Sequence, residues 1–140
     1  MIRVLALGCF DCLHPGHIAH LRAARALGDH LTVAVTEDAF VNKGPGRPLF
    51  SFLERFKAVS ELRCVDSVIG SEHYGDAITE VRPHIYVKGI EYYGNLPEKG
   101  LVERLGGTVK FLDTSPVYST TRIITGEMLR ERINTFVESC

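Results

Sequence analysis

The sequence predicts an α/β fold, a doubly wound parallel sheet of five strands with helices on both faces, in one domain spanning residues 1–140. Two observations carry that expectation. Short β-rich runs alternate with segments of helical periodicity, the pattern of a parallel sheet wrapped by crossover helices. The runs are also mostly apolar, as strands covered on both faces should be. Composition agrees: 140 residues, 45% of them hydrophobic and 24% charged, are typical of a globular domain, and a chain of this length buries roughly 70% of its unfolded surface without a disulfide or metal staple.

The predicted strands are Ile2–Leu7, Leu31–Val35, Val65–Ile69, His84–Val87 and Thr108–Leu112. The first helix runs from about Gly16 to Leu27 with Ile18, Leu21, Ala24 and Leu27 on one stripe, and Gly28 supplies its stop. A second opens at Ser51, where Glu54 three residues on makes a capping-box spacing, and carries Leu53, Phe56, Ala58 and Val59 before Cys64. Weaker patterns fit helices over Asp76–Val81, Pro97–Leu105 and Thr120–Phe136, the last kinked at Gly126. Two polar loops rich in Gly and Pro follow strand ends, Glu37–Pro48 and Lys88–Pro97. In a Rossmann-like doubly wound sheet, ligands bind outside the carboxyl ends of the strands, so both loops and the turn after the first strand can face one crevice.

Charge and hydropathy exclude whole classes of function. With 16 Lys and Arg against 17 Asp and Glu, the net charge of −1 removes the electrostatic case for nucleic acid or a membrane surface as partner, while a local cationic pocket stays open. No apolar run approaches the roughly 18 to 20 residues that span a bilayer. The opening MIRVLALGCF has the outline of a lipoprotein signal ending at Cys9, but Ala6 stands where a larger aliphatic is wanted, and the segment reads as a buried strand. Four cysteines and no export signal point to a reducing cytoplasm.

Chemistry concentrates in Gly8–Ile18, GCFDCLHPGHI, where a strand ends in Gly and a helix begins within a few residues. With Pro15 and Gly16 opening the helix, His17 projects near its N-terminus and His14 just precedes it. Two imidazoles beside a helix N-terminus can donate hydrogen bonds to a phosphate and stabilise charge that grows in a transition state. The duller reading is a capping His plus a surface His. Cys9 and Cys12, followed by His14 and His17, also have the composition of a zinc or redox site, but four ligands within nine residues across a strand-to-helix turn strain tetrahedral closure. No metal site is predicted, and Cys12 reads as a small packed hydrophobe. His20, His30, His73 and His84 show no partner pattern.

Gly8-Cys9-Phe10-Asp11 with His14-Pro15-Gly16-His17 resembles the GxFDxxHxGH signature of the cytidylyltransferase-like nucleotidyltransferases, and Tyr118-Ser119-Thr120-Thr121-Arg122-Ile123-Ile124 resembles their late ISTTxII element. The two signatures lie near opposite ends of the chain, and the likeness covers nearly its full length. The resemblance implies in-line transfer of a nucleotidyl group to a substrate phosphate, with pyrophosphate leaving and no covalent enzyme intermediate. It also implies roles. His14 and His17 would contact the reacting phosphates and Lys43 would assist from the mobile loop. Gly8, Cys9, Phe10, Asp11 and Gly16 would form the nucleotide turn, Cys9 standing where the family has Thr or another small residue. Arg47 and Arg55 would reach the phosphates, and Lys88 and Gly89 would begin the loop facing the nucleotide. Ser119, Thr120 and Thr121 would hold the triphosphate, and Asp38 the phosphorylated acceptor. Mg²⁺ would arrive with the nucleoside triphosphate, few protein ligands being needed. A homodimer is implied by the same likeness.

Each cation also has a plain reading as a solvated surface charge, and Tyr92 and Tyr93 either stack on a base or cover the loop. Within the family, glycerol-3-phosphate cytidylyltransferases carry an Arg about five residues before the STT element, where this chain has Asp113, Thr114 and Ser115. The segments Gly46-Arg47-Pro48, Val65–Val68 and Arg82–Gly89 look more like the adenylyltransferase domain of heptose-phosphate nucleotide synthases of bacterial surface-polysaccharide pathways. The reading is therefore ATP and a sugar phosphate, with a CTP-dependent enzyme of the glycerol-3-phosphate type as alternative and a non-catalytic nucleotide-binding module as the alternative of another class.

Overall fold

A computed structural model describes residues 1–114 and 120–139. Five parallel strands, β1 (Arg3–Gly8), β2 (His30–Thr36), β3 (Ser67–Ser71), β4 (Ile85–Gly89) and β5 (Thr108–Leu112), form one sheet in the order β3-β2-β1-β4-β5. Val4 of β1 pairs with Leu31 on one side and Ile85 on the other. The chain winds outward from β1 in both directions, so the order reverses between β1 and β4, where such sheets leave a crevice at their carboxyl ends.

Side-chain alternation divides the core by face. Val4, Ala6, Val33, Val35 and Val87 pack with Leu21 and Ala24 of helix α1 (Pro15–Arg25) and Val59 of α2 (Phe52–Ser60). Leu5, Ala34 and Tyr86 face the opposite way, onto Ala77 and Ile78 of α3 (Tyr74–Val81) and Val102 of α4 (Lys99–Arg104). Helices therefore cover both faces, as the alternation of strand and helix predicts. Among the described residues no helix is long and apolar enough to cross a membrane.

Several boundaries differ from the sequence expectation for local reasons. β3 begins two residues later, because the Asp66 carboxylate accepts the Leu31 amide at 2.8 Å and pairs with Arg25, so that Ser67 becomes the first strand residue, opposite Thr32. β4 runs on to Gly89, which places Lys88 and Gly89 in the strand instead of the loop. Helix α1 stops at Arg25, and Ile18 is 38% exposed on its flank rather than on the buried stripe. In α2 the inward stripe is buried Arg55 and Val59 with half-buried Phe52 and Phe56, a helical i, i+3, i+4, i+7 set that seats an arginine in the core, while Leu53 and Ala58 face outward. The capping box of Ser51 and Glu54 is formed as expected. The C-terminal helix is two helices, α5 (Thr120–Ile124) and α6 (Glu127–Ser139), separated at Gly126, whose φ of 76° lies in the left-handed region open to glycine.

Candidate active site

The turn from β1 into α1 is built under strain and held by Asp11. Phe10 and Cys12 adopt φ of 52° and 55°, a left-handed backbone that L side chains rarely take and that persists only where surroundings over-determine it. Asp11 between them is 2% exposed and supplies that determination. Its carboxylate accepts the amides of Leu49 at 2.7 Å and Phe50 at 2.9 Å and the Arg47 Nε at 3.3 Å, while its carbonyl accepts the Thr120 hydroxyl at 2.8 Å. Burial opposes the charge on Asp11, but these donors outweigh it and hold the carboxyl below the usual carboxylate range. One side chain thus ties the β1 turn to the Arg47–Phe50 segment, and its backbone ties it to α5.

At the head of α1 the two histidines cap each other. His14 is the N-cap, its Nδ1 accepting the Gly16 and His17 amides at 3.1 and 3.4 Å, and His17 Nδ1 accepts the His14 amide at 3.3 Å. The rings stack with centroids 3.8 Å apart. Because both Nδ1 atoms accept backbone N–H groups, the neutral rings carry their protons on Nε2. Burial, followed by the charges of His14, His20 and Lys43, pushes His17 down to about 3, and burial lowers His14 as well. At neutral pH both imidazoles are uncharged donors. The capping reading and the anion-facing reading of HxxH therefore describe the same two rings.

These rings face a cavity of about 580 Å³ at the carboxyl ends of β1 and β4, a volume suited to a nucleotide-sized ligand. Of the residues singled out in the sequence, Gly8, Cys9, Phe10, Asp11, His14, Gly16, His17, Lys43, Arg47, Lys88, Gly89 and Thr120 all line it. Lys43 stands exposed on its loop yet acts electrostatically on both His17 and Cys9. Lys88 Nζ donates to the Leu7 carbonyl at 3.3 Å and lies 4.7 Å from the centroid of the Tyr92 ring, and its burial lowers its affinity for a proton. Tyr92 lines the cavity, whereas Tyr93 packs edge-on against Phe111. Three cations, two neutral imidazoles and a helix N-terminus thus surround one space, a donor set suited to phosphate oxygens. Among the described residues no cluster of three His, Cys, Asp or Glu could hold a metal ion.

Two expected ligand-binding residues stand elsewhere. Arg55 is 1% exposed and does not line the cavity. Its guanidinium donates to the carbonyls of Phe50 at 2.9 Å, Cys9 at 2.7 Å and Thr36 at 2.7 Å, and to Asp38 Oδ1 at 2.7 Å. It is therefore buried rather than solvated, and it acts as a clasp behind the cavity wall. Asp38, in the short 3₁₀ turn Asp38–Phe40, accepts that clasp on Oδ1, is half-exposed, and does not line the cavity. Ser119 lies outside the described residues, as does the side chain of Thr121.

The cavity also draws in residues given no site role from the sequence, namely His20 and Leu112, together with Ile90 and Glu91 of the loop expected to face the crevice and Asp113 and Thr114, which stand where glycerol-3-phosphate enzymes carry Arg. His20 carried a usable signal, since His14, His17 and His20 recur every three residues on one helix face. Leu112 carried none, because only the placement of β5 beside β4 brings its end to the crevice.

The cytidylyltransferase-like family profile matches residues 5–126. The chain is 42% identical over 126 residues to the bifunctional protein HldE of Streptomyces coelicolor and 42% identical over 127 residues to that of Methylococcus capsulatus, covering 86% of this chain in each case. It spans about a quarter of the length of these curated relatives, 27% in each. The crystal structure of a lipopolysaccharide core biosynthesis protein from Thermoplasma volcanium superposes with a TM-score of 0.68 at 36% identity, over 82% of this chain and 97% of that one. Pantothenate synthetase from Thermus thermophilus shares the fold, with a TM-score of 0.52 at 15% identity, over 81% of this chain and 56% of that one.

Proposed function

The chain belongs to the cytidylyltransferase-like family of nucleotidyltransferases, and from that premise we propose that it transfers a nucleoside monophosphate from a nucleoside triphosphate, ATP in preference to CTP, to a phosphorylated sugar or polyol in bacterial surface-polysaccharide precursor synthesis. A phosphate oxygen of the acceptor attacks the α-phosphorus in line, the bond to the bridging oxygen of the β-phosphate breaks, and pyrophosphate leaves. The carrying observation is the pair of Nε2-protonated imidazoles at the head of α1, facing a cavity that Lys43, Arg47 and Lys88 also line. Catalysis of this kind needs positioning and charge stabilisation rather than a protein nucleophile.

In this reading His14 and His17 donate to the phosphates undergoing reaction, and the α1 N-terminus adds its amides and dipole. Lys43, reaching in from an exposed loop, meets the charge that develops on pyrophosphate. Arg47 is aligned by Asp11, and Thr120 joins α5 to the same turn. Magnesium would arrive bound to the triphosphate, as part of the substrate, and would offset phosphate charge beside Lys43, Arg47 and Lys88. ATP is favoured by the resemblance of Arg82–Gly89 and its companion segments to heptose-phosphate adenylyltransferase domains. A sugar phosphate acceptor is supported by likeness to a lipopolysaccharide core biosynthesis protein. Cytoplasmic location and a homodimer complete the proposal, and sedimentation velocity tests the second.

Pyrophosphate release from Mg·ATP and Mg·CTP, each against glycerol, heptose, ribitol and choline phosphates, tests the assignment. Turnover with ATP and heptose phosphate is the expected result. Turnover with CTP and glycerol phosphate alone would move it to the cytidylyltransferases. Nucleotide binding without turnover on a wider acceptor panel would make it a non-catalytic module.

A further inference from the structure

Large apolar side chains stand open at one side of the cavity. Across the sheet, the loop that carries Lys43 and Arg47 follows β2, the His14–His17 turn follows β1, and Ile90, Tyr92 and Leu112 stand at the ends of β4 and β5. The imidazoles and two of the cations suited to phosphates thus lie toward one side, and these three apolar side chains toward the other. Ile90 and Tyr92 are 45% and 42% exposed although both belong to the cavity wall. Apolar surface kept open inside a ligand cavity fits an apolar or aromatic portion of the ligand.

The Tyr92 ring is held in place before any ligand arrives. It lies in the 3₁₀ turn Ile90–Tyr92 directly after β4, closed by the Tyr93 amide on the Ile90 carbonyl and the Asn95 amide on the Tyr92 carbonyl, both at 3.0 Å. Lys88 of β4 and Phe111 of β5 are register partners, and the consecutive tyrosines settle one on each. Tyr93 meets Phe111 edge-on with centroids 5.3 Å apart, and Lys88 Nζ stands over the Tyr92 ring, 4.7 Å from its centroid. The ammonium is itself fixed by donating to the Leu7 carbonyl at 3.3 Å. A cation over one face of an aromatic ring is attracted by the ring's quadrupole and occupies that face. The opposite face is left for a second planar group.

We propose that Tyr92 is the stacking platform for the nucleobase: backed by the Lys88 ammonium, its open face receives the base while the phosphates reach His14 and His17. The inference rests on the nucleotidyl-transfer reading of the cavity and adds to it the residue that holds the base. Offset stacking on a ring fixed in advance costs little ordering on binding. Every base has a π-face, so the platform supplies affinity for the nucleoside and leaves the choice between ATP and CTP to other contacts. The ring carries this role and the hydroxyl does not.

The test compares binding of Mg·ATP, Mg·CTP and Mg·tripolyphosphate, which has the phosphates without a base, by calorimetry in the parent chain, Tyr92→Phe and Tyr92→Ala. Tyr92→Ala is expected to weaken binding of the nucleotide that the parent turns over by about tenfold or more, within the range for loss of one aromatic–base stack. Tripolyphosphate binding and the acceptor KM should stay within about twofold, and Tyr92→Phe should match the parent throughout. The chain has no tryptophan, so Tyr92→Trp places a single fluorophore at the platform. Its emission should be quenched by the nucleotide and unchanged by tripolyphosphate. Equal weakening of nucleotide and tripolyphosphate overturns the inference alone and makes Tyr92 a support for Lys88. A change confined to the acceptor KM, or unchanged nucleotide binding in Tyr92→Ala, also overturns it alone. A parent chain that binds neither nucleotide overturns it together with the nucleotidyl-transfer reading. If Tyr92→Ala fails to fold, the emission of Tyr92→Trp decides, and an unquenched signal at saturating nucleotide overturns the platform.

Discussion

His14 and His17 stack at 3.8 Å, and each accepts on Nδ1 the backbone amide of the other, at 3.4 Å into His14 and 3.3 Å into His17. This reciprocal cap fixes ring orientation and tautomer at once, so the Nε2–H of each ring is set before any ligand arrives. Preorganised donors of this kind need no rearrangement as charge develops in a transition state.

His17→Ala should therefore lower kcat by about 10² to 10³, the range for loss of one such donor. Loss of its half of the capping box should also cost about 1 kcal/mol of stability. Steady-state kinetics beside urea denaturation separates the two effects, and near-parental turnover would return His17 to a purely capping role.

Histidine titration gives a second check. His17 in the folded chain is held down to about 3, mainly by burial, against roughly 6.5 for an unfolded histidine. Between those values the unfolded chain binds the extra proton, so stability falls as pH drops from about 6.5 toward 3. Nitrogen-15 spectra of the imidazoles at pH 5 should show His17 neutral and protonated on Nε2. A charged ring at that pH would contradict the geometry of the cap.

Asp11→Asn should destabilise the chain at neutral pH and flatten its acid limb. The folded carboxyl lies below the usual range, so its contribution is complete above roughly pH 4 and is lost as pH falls through the folded value. Denaturation midpoints measured from pH 2 to 7 test this. Parallel acid limbs in parent and variant would show that Asp11 holds neither the turn nor the Arg47–Phe50 segment by its charge.

Arg55→Ala should cost about 1 to 3 kcal/mol for each buried carbonyl left without a donor, since Cys9, Thr36 and Phe50 share its guanidinium, while the half-exposed Asp38 carboxylate turns to water. Lys43→Ala, on an exposed loop, should lower turnover with little change in melting temperature. The contrast separates a clasp from a phosphate contact. An Arg55 variant of parental stability with weakened nucleotide binding would reverse the assignment.

By itself the sequence determined the parallel sheet, its five strands, the Ser51 cap of α2 and most of the residues around the cavity. Those features are local or periodic: apolar runs mark strands, Ser51 with Glu54 marks a helix start, and the Gly8–His17 turn carries its chemistry on consecutive residues. Only the tertiary structure decided where long side chains end. Arg55 reads as a phosphate contact or a solvated cation on its helix, but the i, i+3, i+4, i+7 stripe of α2 turns it inward to carbonyls of β1 and β2 flanks that lie 46 and 19 residues away in the chain. Asp38 follows Arg55 out of the cavity for the same reason. Glu98 and Tyr86 meet because the start of α4 lies on the sheet face to which Tyr86 points, and His20 shares the cavity with Glu91 and Lys88 because the strand order reverses between β1 and β4. Periodicity and spacing specify which face of an element is buried. The partner a buried charge finds there depends on contacts between segments distant in the chain, and those exist only once the sheet has formed.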